Sequence, residues 1–188
     1  MADPRGEETA MKEWNILATA YWGRGKDALQ LLSLHGEFKG SGFKDVLQGY
    51  VGNVNLFLEK IELMRGENPD KMASLSQILP LDRTFSFSIS DFMDKLKESV
   101  LPGIEIVEGR KFYVRAKRRG HKGEISSLEI EKKISSFIFE ELEKAGKQAQ
   151  VSFTDPDMVI VIETIANRAG VAFISREMKE KYPLIRIK

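Results

Sequence analysis

Seven Lys or Arg residues and one His occupy the thirteen positions from Arg110 to Lys122, with no acidic residue among them. Cationic side chains of this kind contact the phosphate oxygens of nucleic acids. Phe112, Tyr113 and His121 interrupt the run and offer flat faces on which nucleobases can stack. The alternative is a solvated charged face, in which the Lys and Arg stems only cover the edge of Phe112.

The basic run belongs to the basic half of the chain. Residues 1–100 carry 12 basic and 15 acidic side chains, whereas residues 101–188 carry 17 basic and 13 acidic ones, for a net charge of +1 overall. This asymmetry favours a polyanionic partner. We therefore favour ligand contact for Arg118, Arg119 and Lys122, which are predicted to lie in a glycine-flanked loop, and a core position for Phe112.

Other chemistry has little support. The chain has no Cys and two His residues, His35 and His121, so a metal site would depend on carboxylates, and we expect neither a metal nor a cofactor. There is no G-x-S-x-G motif for a serine nucleophile. Asp155 and Asp157 flank Pro156, a pattern typical of a turn.

Two segments resemble ligand-binding loops only in part. YWGRGKD lacks the first Gly and the Ser or Thr of a Walker phosphate loop, because Ala20 and Asp27 stand there. We interpret it as a polar strand-to-helix turn in which Arg24 and Lys26 could touch phosphate. NRAGVA, at 167–172, departs from the acetyl-CoA loop pattern [QR]-x-x-G-x-[GA] at Asn167.

Length and composition indicate a globular chain of one ordinary or two small domains. It has 188 residues, of which 42% are hydrophobic and 30% charged, and no apolar run long enough to span a membrane. The polar, acidic first dozen residues do not resemble a secretory signal. We therefore predict a cytoplasmic protein, which the absence of Cys also fits.

The first half predicts the order strand, helix, strand, strand, helix, strand. A strand ends near Tyr21, a short helix ends at Gly36, and a Gly-Ser-Gly turn at 40–42 joins two strands. A helix capped by Asn53 ends before Pro69, and the alternating segment RTFSFSI predicts the last strand. This order is ferredoxin-like.

The second half predicts an α/β layer. SDFMDKLKESVLPG predicts a linking helix with Ser90 as N-cap, and RKFYVRAK predicts a strand that leads into the loop RRGHKG. Ser126 and Glu129 form a capping box at the start of an amphipathic helix that ends at Gly146. QVSF, MVIVIETI, GVAFIS and PLIRIK predict strands, of which MVIVIETI is buried on both faces.

The segment RKFYVRAKRRGHKGEISSLEIEKKISSFIFEEL, followed by QVSFTDPDMVIVIET and GVAFISRE, resembles a THUMP domain. HGEFKGSGFKDVLQGYV and ILPLDRTFSFS are similar to the N-terminal ferredoxin-like domain of THUMP proteins that assist N4-acetylcytidine formation in transfer RNA. The resemblance implies an α/β (α+β) fold. It divides the chain into an acidic leader (1–12), a ferredoxin-like domain (13–90), a linking helix (91–102) and a THUMP domain (103–188).

The resemblance also implies a function. The chain would be a non-catalytic adaptor that binds the acceptor 3′-CCA end of transfer RNA and presents it to a separate acetyltransferase. The residues expected to contact RNA are Arg110, Lys111, Arg115, Lys117, Arg118, Arg119, His121, Lys122, Arg168 and Arg176. Three alternatives remain: an RNA-binding subunit of another transfer RNA modification enzyme, an enzyme acting on a small phosphorylated ligand, and a protein-binding module.

Overall fold

A computed structural model describes residues 14–187, which form two β-sheets and six α-helices. The mixed α/β architecture agrees with the predicted fold class. The acidic leader lies outside the described residues. Within the described part of the chain, no helix is long and apolar enough to cross a membrane.

The first module is a four-stranded antiparallel sheet with two main helices. Its strand order, β2-β3-β1-β4, and its chain order are those of a ferredoxin-like fold. Its elements are β1 (Ile16–Ala20), α1 (Gly25–Leu32), β2 (Glu37–Gly40), β3 (Val46–Tyr50), α2 (Val54–Glu67), α3 (Pro69–Met72) and β4 (Leu75–Pro80). As predicted, the Asn53 side chain caps α2 by accepting a hydrogen bond from the Leu56 N–H at 3.0 Å.

The second module is a five-stranded mixed sheet in the order β5-β9-β8-β6-β7. Strand β6 runs parallel to β7 and β8, while β8 and β9 form an antiparallel hairpin. Its elements are β5 (Arg83–Ser86), α4 (Phe92–Val100), a 3₁₀ helix (Leu101–Val107), β6 (Lys111–Arg119), α5 (Ser127–Lys144), β7 (Gln150–Val151), β8 (Met158–Ile165), β9 (Arg168–Ser175) and α6 (Arg176–Lys181).

The last strand of the ferredoxin-like order was predicted wrongly. The fourth strand is β4, whereas the segment with alternating Phe85 and Phe87 contributes β5, which pairs with β9 in the other sheet. The sequence of β4 lacks the alternation of apolar and polar residues that indicates a half-buried strand. Its apolar residues Leu75, Ile78 and Leu79 are irregularly spaced and are all buried. The domain boundaries at residues 90 and 102 stay predictions.

Two further local predictions were wrong. Asp91, not Ser90, is the N-cap residue of α4, and its carboxylate accepts a hydrogen bond from the Ser88 N–H at 2.7 Å. PLIRIK forms no strand over the part that the structure describes. Its Leu184 and Ile185 are buried, and the Leu184 carbonyl accepts a hydrogen bond from the Ile78 N–H of β4 at 2.9 Å.

The two modules share a hydrophobic core. One cluster of buried side chains contains Ile16 and Leu79 of the first sheet together with Val161 and Ile174 of the second, and Leu184 completes it. A second cluster lies on the other face of the second sheet, where α4 and α5 bury their apolar stripes. Because one core joins the two modules, their surfaces keep a fixed position relative to each other.

Candidate nucleic-acid interface

Strand β6 carries the basic run along a sparsely paired edge of the second sheet. It pairs with β8 along its whole length, but on its other side only Lys111 and Phe112 pair with β7. Beyond that point the Glu131 carboxylate accepts a hydrogen bond from the Ala116 N–H at 2.9 Å. Most of this edge therefore has no neighbouring strand, and a side chain occupies one of its backbone donors.

Alternation along β6 separates core side chains from basic ones. Phe112, Val114 and Ala116 are buried in the second core, which confirms that Phe112 is a core residue. Arg115 and Lys117 point to the opposite face and are exposed. Arg115 lies 3.5 Å from the Glu131 carboxylate, so its charge is partly balanced.

Eight of the ten predicted RNA-contacting residues fall into two groups at opposite ends of β6, and Arg115 and Arg119 belong to neither group. The strand has nine residues, so its ends are about 26 Å apart. We call Arg110, Lys111 and Arg176 the opposite-end cluster. Lys111 lies 3.0 Å from Asp155, and Arg176 lies 2.7 Å from Asp155 and 3.1 Å from Asp157, so acidic neighbours balance this cluster.

The Asp155–Pro156–Asp157 segment, interpreted from the sequence as a turn, also forms ion pairs through both of its carboxylates. The Asp157 carboxylate also accepts a hydrogen bond from the Lys111 N–H at 2.9 Å, which fixes the turn against the start of β6. The pKa of Asp155 is lowered, first by its hydrogen bond with Lys111 and then by Arg176. The turn has a structural role that accounts for both carboxylates.

The other group lies at the end of β6 that leads into the loop. We call Lys117, Arg118, His121, Lys122 and Arg168 the loop-end surface. Arg168 lies close because it pairs with Ile165, which itself pairs with Arg119 at the end of β6. Lys122 is exposed, and within residues 14–187 it has no ion pair.

Arg119 has a different environment from its neighbours. It ends β6 rather than lying in the loop, and its guanidinium donates a hydrogen bond to the Glu163 carboxylate of β8. The side chains of Arg119 and Glu163 are only 9% and 2% exposed. Burial raises the pKa of Glu163, and the positive charge of Arg119 opposes that shift without cancelling it. This arrangement holds the Arg119 guanidinium inside the protein.

Arg118 is the penultimate residue of β6, although the sequence predicts it in the loop. Its guanidinium donates a hydrogen bond to the carbonyl of Gly120, two residues later. Gly120 has a φ of +93°, and a Cβ added there would lie 3.1 Å from the Ala166 Cα. A side chain at this position would be strained by the positive φ and by the close approach of the β8–β9 turn, so glycine is favoured there.

His121 is held by three contacts at the start of the loop. Its ring nitrogens lie 2.7 Å from the Asn167 side-chain oxygen and 3.1 Å from the Glu124 carboxylate. Its ring lies 5.6 Å from that of Phe87, and its side chain is 18% exposed. His121 therefore connects the basic loop to the β8–β9 turn, with a small part of its ring open to solvent.

Acidic side chains lie beside the start of α5. The Ser126 side chain accepts a hydrogen bond from the Glu129 N–H at 3.4 Å, which confirms the predicted N-cap. The exposed carboxylates of Glu124 and Glu129 lie in the same turn of chain. They offset the positive end of the helix dipole, so the start of α5 attracts phosphate less than a helix N-terminus without acidic neighbours would.

A cleft of about 300 Å³ between the modules adjoins the loop-end surface. The β2–β3 hairpin contributes the glycine-rich segment 40–42, and the β8–β9 turn contributes Asn167 and Arg168. Lys39 lines the cleft beside Gln48, which is 4% exposed and whose amide nitrogen has no hydrogen-bond partner among the described residues. The cleft thus combines cationic side chains with a buried amide nitrogen that lacks a hydrogen-bond partner among the described residues.

Lys39, Gln48 and Asn167 were not identified as site residues from the sequence. The Gly-Ser-Gly segment at 40–42 was the available signal, but it predicts only a hairpin turn. In the sequence, Asn167 stands out only as a mismatch to the acetyl-CoA loop pattern. Their grouping depends on the packing of the first module against the second sheet, which no local pattern indicates.

Comparison with known proteins gives a family match for part of the chain and a fold match for most of it. Residues 87–173 match the THUMP domain family. No curated protein sequence matches the chain. TrmN from Thermus thermophilus has 14% identity and a TM-score of 0.59 over 85% of this chain and 44% of its own. PH1313 from Pyrococcus horikoshii Ot3 has 14% identity and a TM-score of 0.57 over 86% and 54%.

A third solved structure, a 4-thiouridine synthetase in complex with RNA and ATP, has 15% identity and a TM-score of 0.52. It is matched over 86% of this chain and 41% of its own. At these identities the similarity establishes the fold alone, and the chain spans about half the length of the solved structures it matches. The comparisons therefore match residues 87–173 to the THUMP domain family and most of the chain to the fold of these solved structures.

Proposed function

We propose that the chain is a transfer RNA-binding adaptor, which docks the acceptor 3′-CCA end and presents the RNA to a separate acetyltransferase for N4-acetylcytidine formation. The observation that carries the RNA-binding part is the THUMP domain at residues 87–173, since this domain is an RNA-binding module of transfer RNA modification proteins. The proposal locates the protein in the cytoplasm.

The geometry around the loop end of β6 supports RNA binding there. Exposed Lys117 and Lys122 can contact phosphates, while the neighbouring cleft offers an unpartnered Gln48 amide and the side chain of Arg168. A cleft of about 300 Å³ is large enough to admit a nucleobase. The opposite-end cluster is the weaker candidate because Asp155 and Asp157 already balance its charge.

Two segments that partly resemble cofactor-binding loops are incomplete, which supports the adaptor role. The stretch most similar to an acetyl-CoA loop begins with Asn167 and continues directly into β9, and the Walker-like segment lacks two essential residues. An adaptor can still raise the rate of a partner enzyme. Holding RNA and enzyme together raises the effective concentration of the target base, and a second tethered contact can raise avidity by about 10²- to 10⁴-fold.

Transfer RNA binding, measured with and without the 3′-CCA nucleotides, tests the docking part of the proposal. Tighter binding of the complete RNA is expected. Lys122→Glu should weaken that binding, while the matched variant Lys111→Glu, at the opposite end of β6, should leave it nearly unchanged because Asp155 already balances Lys111. Equal loss in both variants would contradict the assignment of the interface to the loop end.

Nucleoside mass spectrometry tests the adaptor part. Incubated alone with transfer RNA, acetyl-CoA and ATP, the chain should form no N4-acetylcytidine. Added to an N4-acetylcytidine-forming acetyltransferase, it should increase the yield. Acetylation by the chain alone would overturn the adaptor role, and no increase with the enzyme would refute the assigned pathway while leaving RNA binding intact.

The solved structures favour a second candidate function, an RNA-binding part of another transfer RNA modification enzyme. The matched chain of the 4-thiouridine synthetase is more than twice the length that this chain covers. The modified nucleosides of transfer RNA from cells lacking the protein distinguish the two candidates. Loss of N4-acetylcytidine supports the adaptor, and loss of another modified nucleoside supports the second candidate.

A further inference from the structure

The loop between β1 and α1 exposes a tryptophan that neither module uses for packing. Trp22 is 83% exposed, the largest fraction among the exposed large hydrophobic residues of the described chain, and Tyr21 beside it is 47% exposed. The other tryptophan, Trp14, is only 2% exposed and lies in the shared core. The indole of Trp22 therefore contributes little to the core and offers a large, rigid aromatic surface to a binding partner.

The loop does not work as a phosphate cradle. The Asp45 carboxylate accepts hydrogen bonds from the N–H groups of Gly23, at 2.9 Å, and Gly25, at 3.0 Å. These are the backbone donors that a bound phosphate would require, and a carboxylate already holds them. The same bonds tie the loop to the β2–β3 hairpin, so Trp22 projects from a fixed backbone.

A cation covers one face of the indole. The ammonium of Lys44 lies 3.2 Å from the centroid of the Trp22 ring. The high exposure of Trp22 leaves the opposite face of the ring in solvent. An aromatic surface open on one face and cationic on the other suits a nucleobase, which can stack on the open face while its phosphate approaches the cation.

The surroundings of the indole favour a polyanion. Lys26 is exposed and, within residues 14–187, forms no ion pair. The guanidinium of Arg186 donates a hydrogen bond to the Tyr21 hydroxyl at 3.3 Å. Arg24 is balanced by Asp27 at 2.6 Å, so the free positive charge comes mainly from the lysines and Arg186. Phosphate groups would be attracted to this site in addition to the base.

The hairpin that holds this loop is also part of the candidate interface. Its glycine-rich segment 40–42 lines the inter-module cleft, and the Phe43 ring lies 3.8 Å from where a Cβ of Gly120 would be. Lys44, the next residue, covers Trp22. Two adjacent residues therefore connect the basic loop of the second module to the exposed tryptophan of the first, and a single strand could follow this path.

We propose that Trp22 is a stacking platform for an unpaired base of the bound RNA, with Lys44 and Lys26 contacting the flanking phosphates. This inference rests on the proposed RNA-binding function and extends the interface from the THUMP domain onto the ferredoxin-like module. The contact is to the face of a base, so it is tolerant of sequence. It distinguishes unpaired from paired nucleotides, because bases inside a duplex are already stacked on each other.

Binding measurements on the full chain with three RNAs test the platform: complete transfer RNA, transfer RNA without its unpaired 3′ nucleotides, and a blunt RNA duplex. Trp22→Ala should weaken binding of complete transfer RNA by about 5- to 150-fold, the usual effect of losing one stacked base. Trp22→Phe should lose less, and binding of the blunt duplex should not change. Phe153→Ala is the matched control, because Phe153 is 75% exposed and follows β7, which pairs with the opposite end of β6.

Intrinsic fluorescence gives an independent measurement, because the chain has only two tryptophans and Trp14 is buried. Complete transfer RNA should quench the emission of the wild-type chain in a saturable way, and Trp22→Phe should abolish that quenching while retaining the Trp14 signal. The variant Lys44→Glu should also reduce affinity for complete transfer RNA.

The outcomes separate this inference from the proposed function. Suppose that the wild-type chain binds complete transfer RNA, that Trp22→Ala binds it equally tightly, and that the RNA quenches the tryptophan emission of both proteins to the same extent. The platform is then refuted, and RNA binding stands. Equal weakening on the blunt duplex would also refute it, since an effect on paired RNA is not stacking of an unpaired base. If the wild-type chain binds none of the RNAs, both the platform and the proposed function are refuted.

Discussion

The ion pair between Arg119 and Glu163 allows a quantitative test of what the end of β6 does. Replacing Arg119 by Met removes the cation and keeps most of the side-chain volume. Glu163, 2% exposed, is then left without its ionic partner. Breaking a buried pair in this way costs about 3–5 kcal/mol, a large fraction of the roughly 5–15 kcal/mol that stabilises a typical domain.

The matched control is Arg115→Met on the same strand. Arg115 lies 3.5 Å from Glu131, and its side chain is 47% exposed, so water already screens that pair. Exposed pairs contribute about 0–1 kcal/mol. The double variant Arg119→Met/Glu163→Leu removes both buried charges and should recover most of the stability lost in the single variant.

The effect of Arg119→Met should depend on pH. Burial raises the pKa of Glu163 above its ordinary value of 4.5, because the fold favours the neutral carboxyl. The stability associated with that shift is present below pH 4.5 and is lost as the pH rises through the raised pKa. Without the opposing charge of Arg119 the pKa should rise further, so the deficit of the variant should be small in acid and grow towards neutral pH.

Urea unfolding, followed by circular dichroism at about pH 5 and about pH 7, measures these differences. The reasoning is refuted if Arg119→Met loses no more stability than the exposed control. It is also refuted if the deficit is the same at both pH values. A confirmed result would mean that charge reversal at Arg119 weakens RNA binding through unfolding, so Arg119 should not be used to map the interface.

Two further predictions concern the charge of the loop-end surface and the close approaches in the first sheet. The double variant Arg118→Glu/Lys122→Glu should weaken binding to all transfer RNAs alike, and the slope of log affinity against log salt should fall by about 0.7 for each lost phosphate contact. An unchanged slope in filter-binding titrations would exclude these side chains from phosphate contact. Gly49→Ala should destabilise the chain by about 1–3 kcal/mol, because the added Cβ would lie 2.1 Å from the Phe38 ring. Gly66→Ala on α2, where a Cβ meets nothing within 4 Å, should instead stabilise it by about 0.5–1 kcal/mol in thermal unfolding; equal shifts for the two variants would contradict the packing argument.

Elements whose signals are local were predictable from the sequence. Helix α5 has a capping Ser126, an apolar stripe with a four-residue spacing and a final Gly146, and the structure has a helix at Ser127–Lys144. The β-branched run of β8 predicts a strand buried on both faces, and all eight of its residues are buried. In each case the residues that define the element are neighbours in the chain, so composition and period are sufficient.

Features that depend on distant partners were not predictable. The segment with Phe85 alternates as a strand should, but alternation does not specify which sheet it joins. Glu163 lies 44 residues after Arg119 in the chain. The sequence around Arg119 therefore contains no acidic residue that indicates its ion pair. The platform at Trp22 depends on Lys44 and Asp45, which reach it only through the pairing of β1 with β3.

The position of Leu184 has a consequence for synthesis on the ribosome. Leu184 and Ile185 complete the hydrophobic core around β4, yet they are made about 100 residues after that strand. At roughly 5–20 residues per second, the first module waits about 5–20 s for the side chains that close its core. During that interval Leu79 and its neighbours are open to water and to other nascent chains, so the first module emerges early but matures last.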